Sequence, residues 1–173
     1  MRLSMRWTGS IAAVALLAIA ATGAAQAAQR VLGKYGVWQA VVLGEKTSKT
    51  CFLHGAPKKS RGKYKKRGEI FVQITHRPPK ATNEVSITAG YVFEKESDVD
   101  IDIDGEKFEL FTDKDSAWSR DAKGDLALVR AMRAGKVMVV KGKSARGTLT
   151  TDTYSLSGFT AAYGAMGKAC GKK

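Results

Sequence analysis

Seven cations fall between Pro57 and Gly68 with no acid among them: Lys58, Lys59, Arg61, Lys63, Lys65, Lys66 and Arg67. Such a run attracts phosphate, sulfate or carboxylate groups on a polymer or lipid surface, by a force that salt screens. Tyr64, within the run, adds a ring on which a ligand can stack. These eight residues are the candidate binding segment. The plain alternative is a solvated hairpin tip whose charge only keeps the protein in solution.

Other constellations offer less. Cys51, His54, His76 and Cys170 are the residue types of a Cys2His2 zinc site, but long gaps separate three of the four, which fits no compact ligand pattern. From Glu94 to Glu109 the chain holds eight acids and two lysines. Asp100-Ile101-Asp102-Ile103-Asp104-Gly105 opens like a calcium loop, but Phe111 stands at the twelfth position, where that loop needs a bidentate Glu. The alternating isoleucines favour a strand with one wet acidic face, which could also lie against the basic segment of the same or a neighbouring molecule. Two histidines supply few general bases, and Ser155-Leu156-Ser157-Gly158 lacks the Gly-x-Ser-x-Gly elbow of serine hydrolases. No catalytic residue, metal ligand or cofactor is therefore assigned, and the expected function is not enzymatic.

The chain has 173 residues, 44% of them apolar, and a formal charge of +13. That balance excludes a disordered chain and a multi-span membrane protein. Residues 1–27 read as a secretory signal peptide: Arg2 and Arg6 lead, Ile11 to Ala21 is an uncharged apolar run of 11 residues, and Ala25-Gln26-Ala27 is a small-x-small cleavage pattern. The run is shorter than the roughly 20 apolar residues that span a bilayer. Cleavage after Ala27 leaves residues 28–173 as one domain of 146 residues, with 27 basic and 16 acidic side chains, a net +11. The expected location is the periplasm or the exterior, with no transmembrane segment after cleavage. In that oxidising compartment a disulfide between Cys51 and Cys170 is the default, with two free thiols or metal binding as the alternatives.

Around these residues the apolar pattern is mostly that of strands. Tyr35–Leu43, Cys51–Leu53, Glu69–His76, Glu84–Phe93, Val99–Ile103, Glu106–Phe111, Ala117-Trp118, Lys136–Val140 and Thr148–Leu156 are the candidates. Pro57 to Gly68 reads as a polar loop, and Asp104-Gly105 as a type I′ hairpin turn. Asp121 to Ala134 predicts a helix, with Leu126, Val129 and Met132 at helical spacing flanked by Leu128, Asp125 near its start and Arg130 and Arg133 near its end. A second helix runs from Phe159 to about Ala169 on a stripe of Phe159, Ala162, Tyr163 and Met166. The expected fold is mainly β (α+β): an antiparallel β-sandwich or open barrel with two short helices in the C-terminal half.

Tyr35-Gly36-Val37-Trp38-Gln39, then Cys51-Phe52-Leu53, Asp121 to Gly135 and Tyr154 to Ala162 together resemble the invasion-associated locus B family of exported bacterial proteins. The resemblance covers most of residues 35–165. It implies an envelope protein, periplasmic or surface-associated, linked in some pathogens to host-cell entry, and it transfers no active site. Members often carry further cysteines just before the first helix, whereas Lys107 to Ala122 has none here, so their usual pairing does not carry over. The partners expected are an anionic envelope polymer, a lipid surface or a host-cell component, and not genomic nucleic acid. The alternative is a structural or stress-response periplasmic factor without a polyanion ligand.

Overall fold

The structure is a computed structural model and describes residues 29–45 and 48–171. The expected signal peptide lies outside the described residues. The elements are β1 (Gln29–Tyr35), β2 (Trp38–Leu43), β3 (Thr50–Gly55), β4 (Lys59–Gly62), β5 (Phe71–Arg77), β6 (Ala81–Thr88), β7 (Asp98–Ile103), β8 (Glu106–Asp113), β9 (Ser116–Trp118), α1 (Ala122–Ala134), β10 (Val137–Lys143), β11 (Leu149–Ser155) and α2 (Phe159–Ala169). The strands form one sheet in the order β1-β2-β3-β5-β6-β9-β8-β7-β10-β11-β4, which does not close. Their pairings are antiparallel. This is the mainly β, unclosed arrangement the sequence predicts, with both helices late in the chain.

β4 starts four residues after β3 ends but stands at the far end of the sheet order. Four residues reach at most about 14 Å. The sheet therefore curls until its β11–β4 end approaches β2 and β3. Trp38 Nε1, on β2, donates to the Ser155 carbonyl, on β11, at 2.9 Å. Inside the curl lie Trp38, Leu53, Ile74, Ile87, Ile101, Leu110, Met138 and Tyr154, all buried. Along β7 the burial alternates as the sequence does: Val99, Ile101 and Ile103 are buried, and Asp98 and Asp100 are exposed. The Asp104-Gly105 turn follows, both residues at positive φ, as a type I′ hairpin needs.

Three strand expectations change. The segment read as one strand from Tyr35 is the second half of a hairpin: Gly36, at φ +65°, turns the chain between β1 and β2. The segment read as Glu84–Phe93 stops at Thr88, because Ala89 N–H bonds Asp115 O at 3.1 Å and Gly90 O accepts from Gly68 N–H at 2.8 Å. The polar loop contains β4, which pairs with β11. Apolar alternation could not reveal it, because all four of its residues are exposed. Lys59 and Arg61 place charge on this edge, a common guard against edge-to-edge pairing.

The helices cover one part of the sheet. Asp121 caps α1 by accepting from Gly124 N–H at 2.7 Å. Val129 and Met132 of the expected stripe and the flanking Leu128 are buried, Leu126 is only partly so, and Asp125 joins the buried face. Asp125 turns inward because its Oδ1 accepts the Val85 amide of β6 at 3.0 Å. α2 packs on β1, β2 and β3, with the Phe159 ring edge-on to Trp38 at 4.9 Å. The helix ends at Cys170, which is disulfide-bonded to Cys51 of β3 across 119 residues.

A basic cleft as the candidate functional site

The basic segment divides into three parts. Lys58, Lys59 and Arg61 flank or occupy the β4 edge, with Lys58 N–H donating to Thr153 O at 2.8 Å. Lys63, Tyr64, Lys65 and Lys66 line one wall of a cleft of about 710 Å³. Arg67 lies at the base of that wall and faces inward.

Arg67 is the anchor of the segment. Its Nη1 and Nη2 donate to Asp152 Oδ1 and Oδ2 at 2.8 and 2.6 Å, and its Nε donates to Ala89 O at 2.7 Å. The guanidinium lies over two rings, 5.4 Å from the centre of Tyr64 and 4.9 Å from that of Tyr91. Only 4% of either charged side chain is exposed. Burial works against the Arg67 charge, but the bonds and field of Asp152 more than compensate and push its pKa up. The sequence reading placed Arg67 with the surface cations. The structure makes it a structural residue whose charge is already met.

The opposite wall comes from two distant segments. Tyr91 and Val92 follow the end of β6, and Ser144 to Thr148 join β10 to β11. Ala145 N–H donates to Val92 O at 2.8 Å and Glu94 N–H to Lys143 O at 3.0 Å, so the two segments are tied together. The Tyr91 hydroxyl lies 2.6 Å from Thr150 Oγ1. Burial raises the Tyr91 pKa, so the phenol stays protonated at neutral pH. Arg146 adds a fourth cation to the lining beside Lys63, Lys65 and Lys66. Among the described residues no carboxylate lines the cleft, and none forms an ion pair with Lys63, Lys65, Lys66 or Arg146.

Sequence reasoning missed Arg146, Tyr91, Val92 and Asp152. Asp152 carried a readable signal: it shares the inward parity of β11 with Thr150 and Tyr154, and a buried carboxylate needs a cationic partner. Arg146 carried none, since one arginine in a turn is ordinary.

The remaining candidates resolve locally. The acidic strands do not meet the basic segment of their own molecule. Asp98 pairs with Arg120 at 2.9 Å, Glu94 with Lys143 at 2.9 Å and Asp102 with Lys107. Asp104 accepts the Lys136 and Val137 amides at 2.7 and 3.3 Å. The sulfurs of Cys51 and Cys170 are bonded to each other, which removes the free-thiol and zinc alternatives. His54 Nε2 lies 3.0 Å from Gln39 Oε1, and burial lowers its pKa although Glu69 pulls the other way. His76 is buried, with its Nδ1 accepting the Asn83 amide at 2.9 Å.

A family model described as invasion associated locus B (IalB) protein matches residues 38–167. The crystal structure of invasion associated protein b from Bartonella henselae superposes with a TM-score of 0.56, covering 82% of this chain and 98% of that one at 18% identity. At that identity the likeness bears on the fold alone. No curated protein matches the sequence.

Proposed function

Because the chain belongs to the invasion associated locus B family, we propose that it is an exported, non-enzymatic envelope protein that meets an anionic surface through its basic cleft. One observation carries this reading. Lys63, Lys65, Lys66 and Arg146 come from two segments about 80 residues apart to one cleft that no carboxylate lines among the described residues. Like charges held close together repel, and an anion that met them would relieve that repulsion. Lys58, Lys59 and Arg61 extend the same charge along the β4 edge. The partner is an envelope polymer, a lipid surface or a host-cell component of that charge.

Replacing Lys63, Lys65, Lys66 and Arg146 together by serine, with Arg67 left in place, tests the reading. Binding to polyphosphate and to vesicles rich in acidic phospholipid should fall sharply in the variant at low salt. Physiological salt, with its screening length of about 8 Å, should weaken the parent in the same way. A variant that binds as well as the parent across the salt series would leave a structural or stress-response factor whose charge is only solubilising. Export has its own test: protein recovered from the periplasm should begin at Ala28, and intact Met1 there would refute the signal peptide.

A further inference from the structure

The cleft does more than concentrate charge. Its lining also includes the side chains of Tyr64, Tyr91, Val92 and Ala145 beside the cations. Val92 is 57% exposed and Tyr64 37%, two of the five large hydrophobic side chains left open to solvent among the described residues. A cleft for a simple polyanion gains nothing from apolar surface held in water. At about 710 Å³ the space suits one small molecule, mostly apolar, fixed by a few polar contacts.

We propose that the cleft binds one acidic amphiphile, a phosphate head joined to an apolar tail as in an acidic phospholipid. The proposal rests on the anionic-surface reading above and specifies its ligand. Lys63, Lys65, Lys66 and Arg146 receive the head. The tail lies over Val92, Ala145 and the tyrosine rings. Arg67 does not contact the phosphate: Asp152 already takes both ends of its guanidinium, and Arg67 instead packs over the two rings and positions them.

The test uses dihexanoyl phosphatidylglycerol below its micelle concentration, with glycerol phosphate as the same head without a tail and polyphosphate as a pure polyanion. Calorimetry should give one lipid per protein, bound at least tenfold more tightly than glycerol phosphate, a ratio that burying about two methylenes supplies. Val92→Ser, at an exposed position, should bring that ratio below threefold and leave polyphosphate binding unchanged. Ala145→Trp, which fills the cleft without altering charge, should abolish lipid binding and spare polyphosphate. Leu149→Ser should change neither, because Leu149 does not line the cleft although its neighbours Thr148 and Thr150 do. Polyphosphate binding with equal affinities for lipid and glycerol phosphate would overturn the amphiphile site and leave the surface reading standing. Binding of neither polyphosphate nor lipid at low salt would overturn both.

Discussion

Arg67 and Asp152 lie 85 residues apart in sequence and meet through two parallel hydrogen bonds of 2.8 and 2.6 Å, each side chain only 4% exposed. The pair ties the segment after β4 to the inward face of β11 and so fixes the base of the cleft. Arg67→Met leaves the Asp152 charge buried and unmet, which should cost about 3–5 kcal/mol. Asp152→Leu should cost a similar amount, and the double variant should recover much of it. Urea midpoints of the three variants measure this; additive losses would mean that the two groups do not act as a pair.

The Cys51–Cys170 bond holds the C-terminal end of α2 on β3. Thiol titration of the denatured, non-reduced protein should find no free cysteine. Replacing both residues by serine should cost about 4–5 kcal/mol in the loop-entropy account of a closure this long, and commonly less in practice. Hydrogen exchange should show α2 losing protection before the strands do.

Gly158 and Gly164 predict opposite responses to the same change. Gly158, the residue before α2, has φ +88°, and a Cβ there would sit 2.4 Å from Tyr35 O. Gly158→Ala should therefore destabilise by at least about 1 kcal/mol. A Cβ at Gly164, inside α2, meets nothing within 4 Å. Gly164→Ala should stabilise by about 0.5–1 kcal/mol. Thermal melts of the two single variants settle both signs.

Asp125 gives a pH signature. Burial raises its pKa above the ordinary carboxyl value, against the lowering effect of the Val85 amide, and Glu84 and Asp121 raise it further. The folded state thus holds this proton more tightly than the unfolded chain. The stability it contributes is present below the unfolded pKa and lost as pH rises through the folded one. Asp125→Asn keeps an oxygen acceptor for Val85 and removes the titration. The stability of Asp125→Asn relative to the parent should rise from pH 3 to pH 5.5, a window below the ordinary histidine range. A constant difference across that window would mean that Asp125 does not titrate as described.

The fold was legible wherever burial follows the period of its element. β7, β8, the Asp104-Gly105 turn and both helices follow from their own residues. β4 was not, because an edge strand exposed at every position has no apolar pattern to read. The burial of Asp125 on α1 was missed for a related reason: periodicity ranks side chains by hydrophobicity, and Asp125 is buried for a hydrogen bond instead. Of the candidate site, composition exposed one wall. The other depends on Tyr91, Val92 and Arg146, ordinary residues brought together by the pairing of Phe93 with Ser144. Arg67 looked identical to its neighbours, and only the inward parity of Asp152 distinguishes it.

β4 belongs to the early part of the chain but has its partner strand at the end, Thr153 opposite Lys59 and Thr150 opposite Gly62. A polypeptide is made N-terminus first, so the lysines exist long before the surface that organises them. Until residues near 155 are available, the segment after β3 has no strand to pair with, Arg67 has no carboxylate, and the second wall is missing. Loop-closure entropy also places such long-range pairing late in folding. The proposed anion site is therefore a product of the finished sheet: a truncated or half-threaded chain would carry the same charge without the cleft, and would attract an acidic surface without holding any one molecule from it.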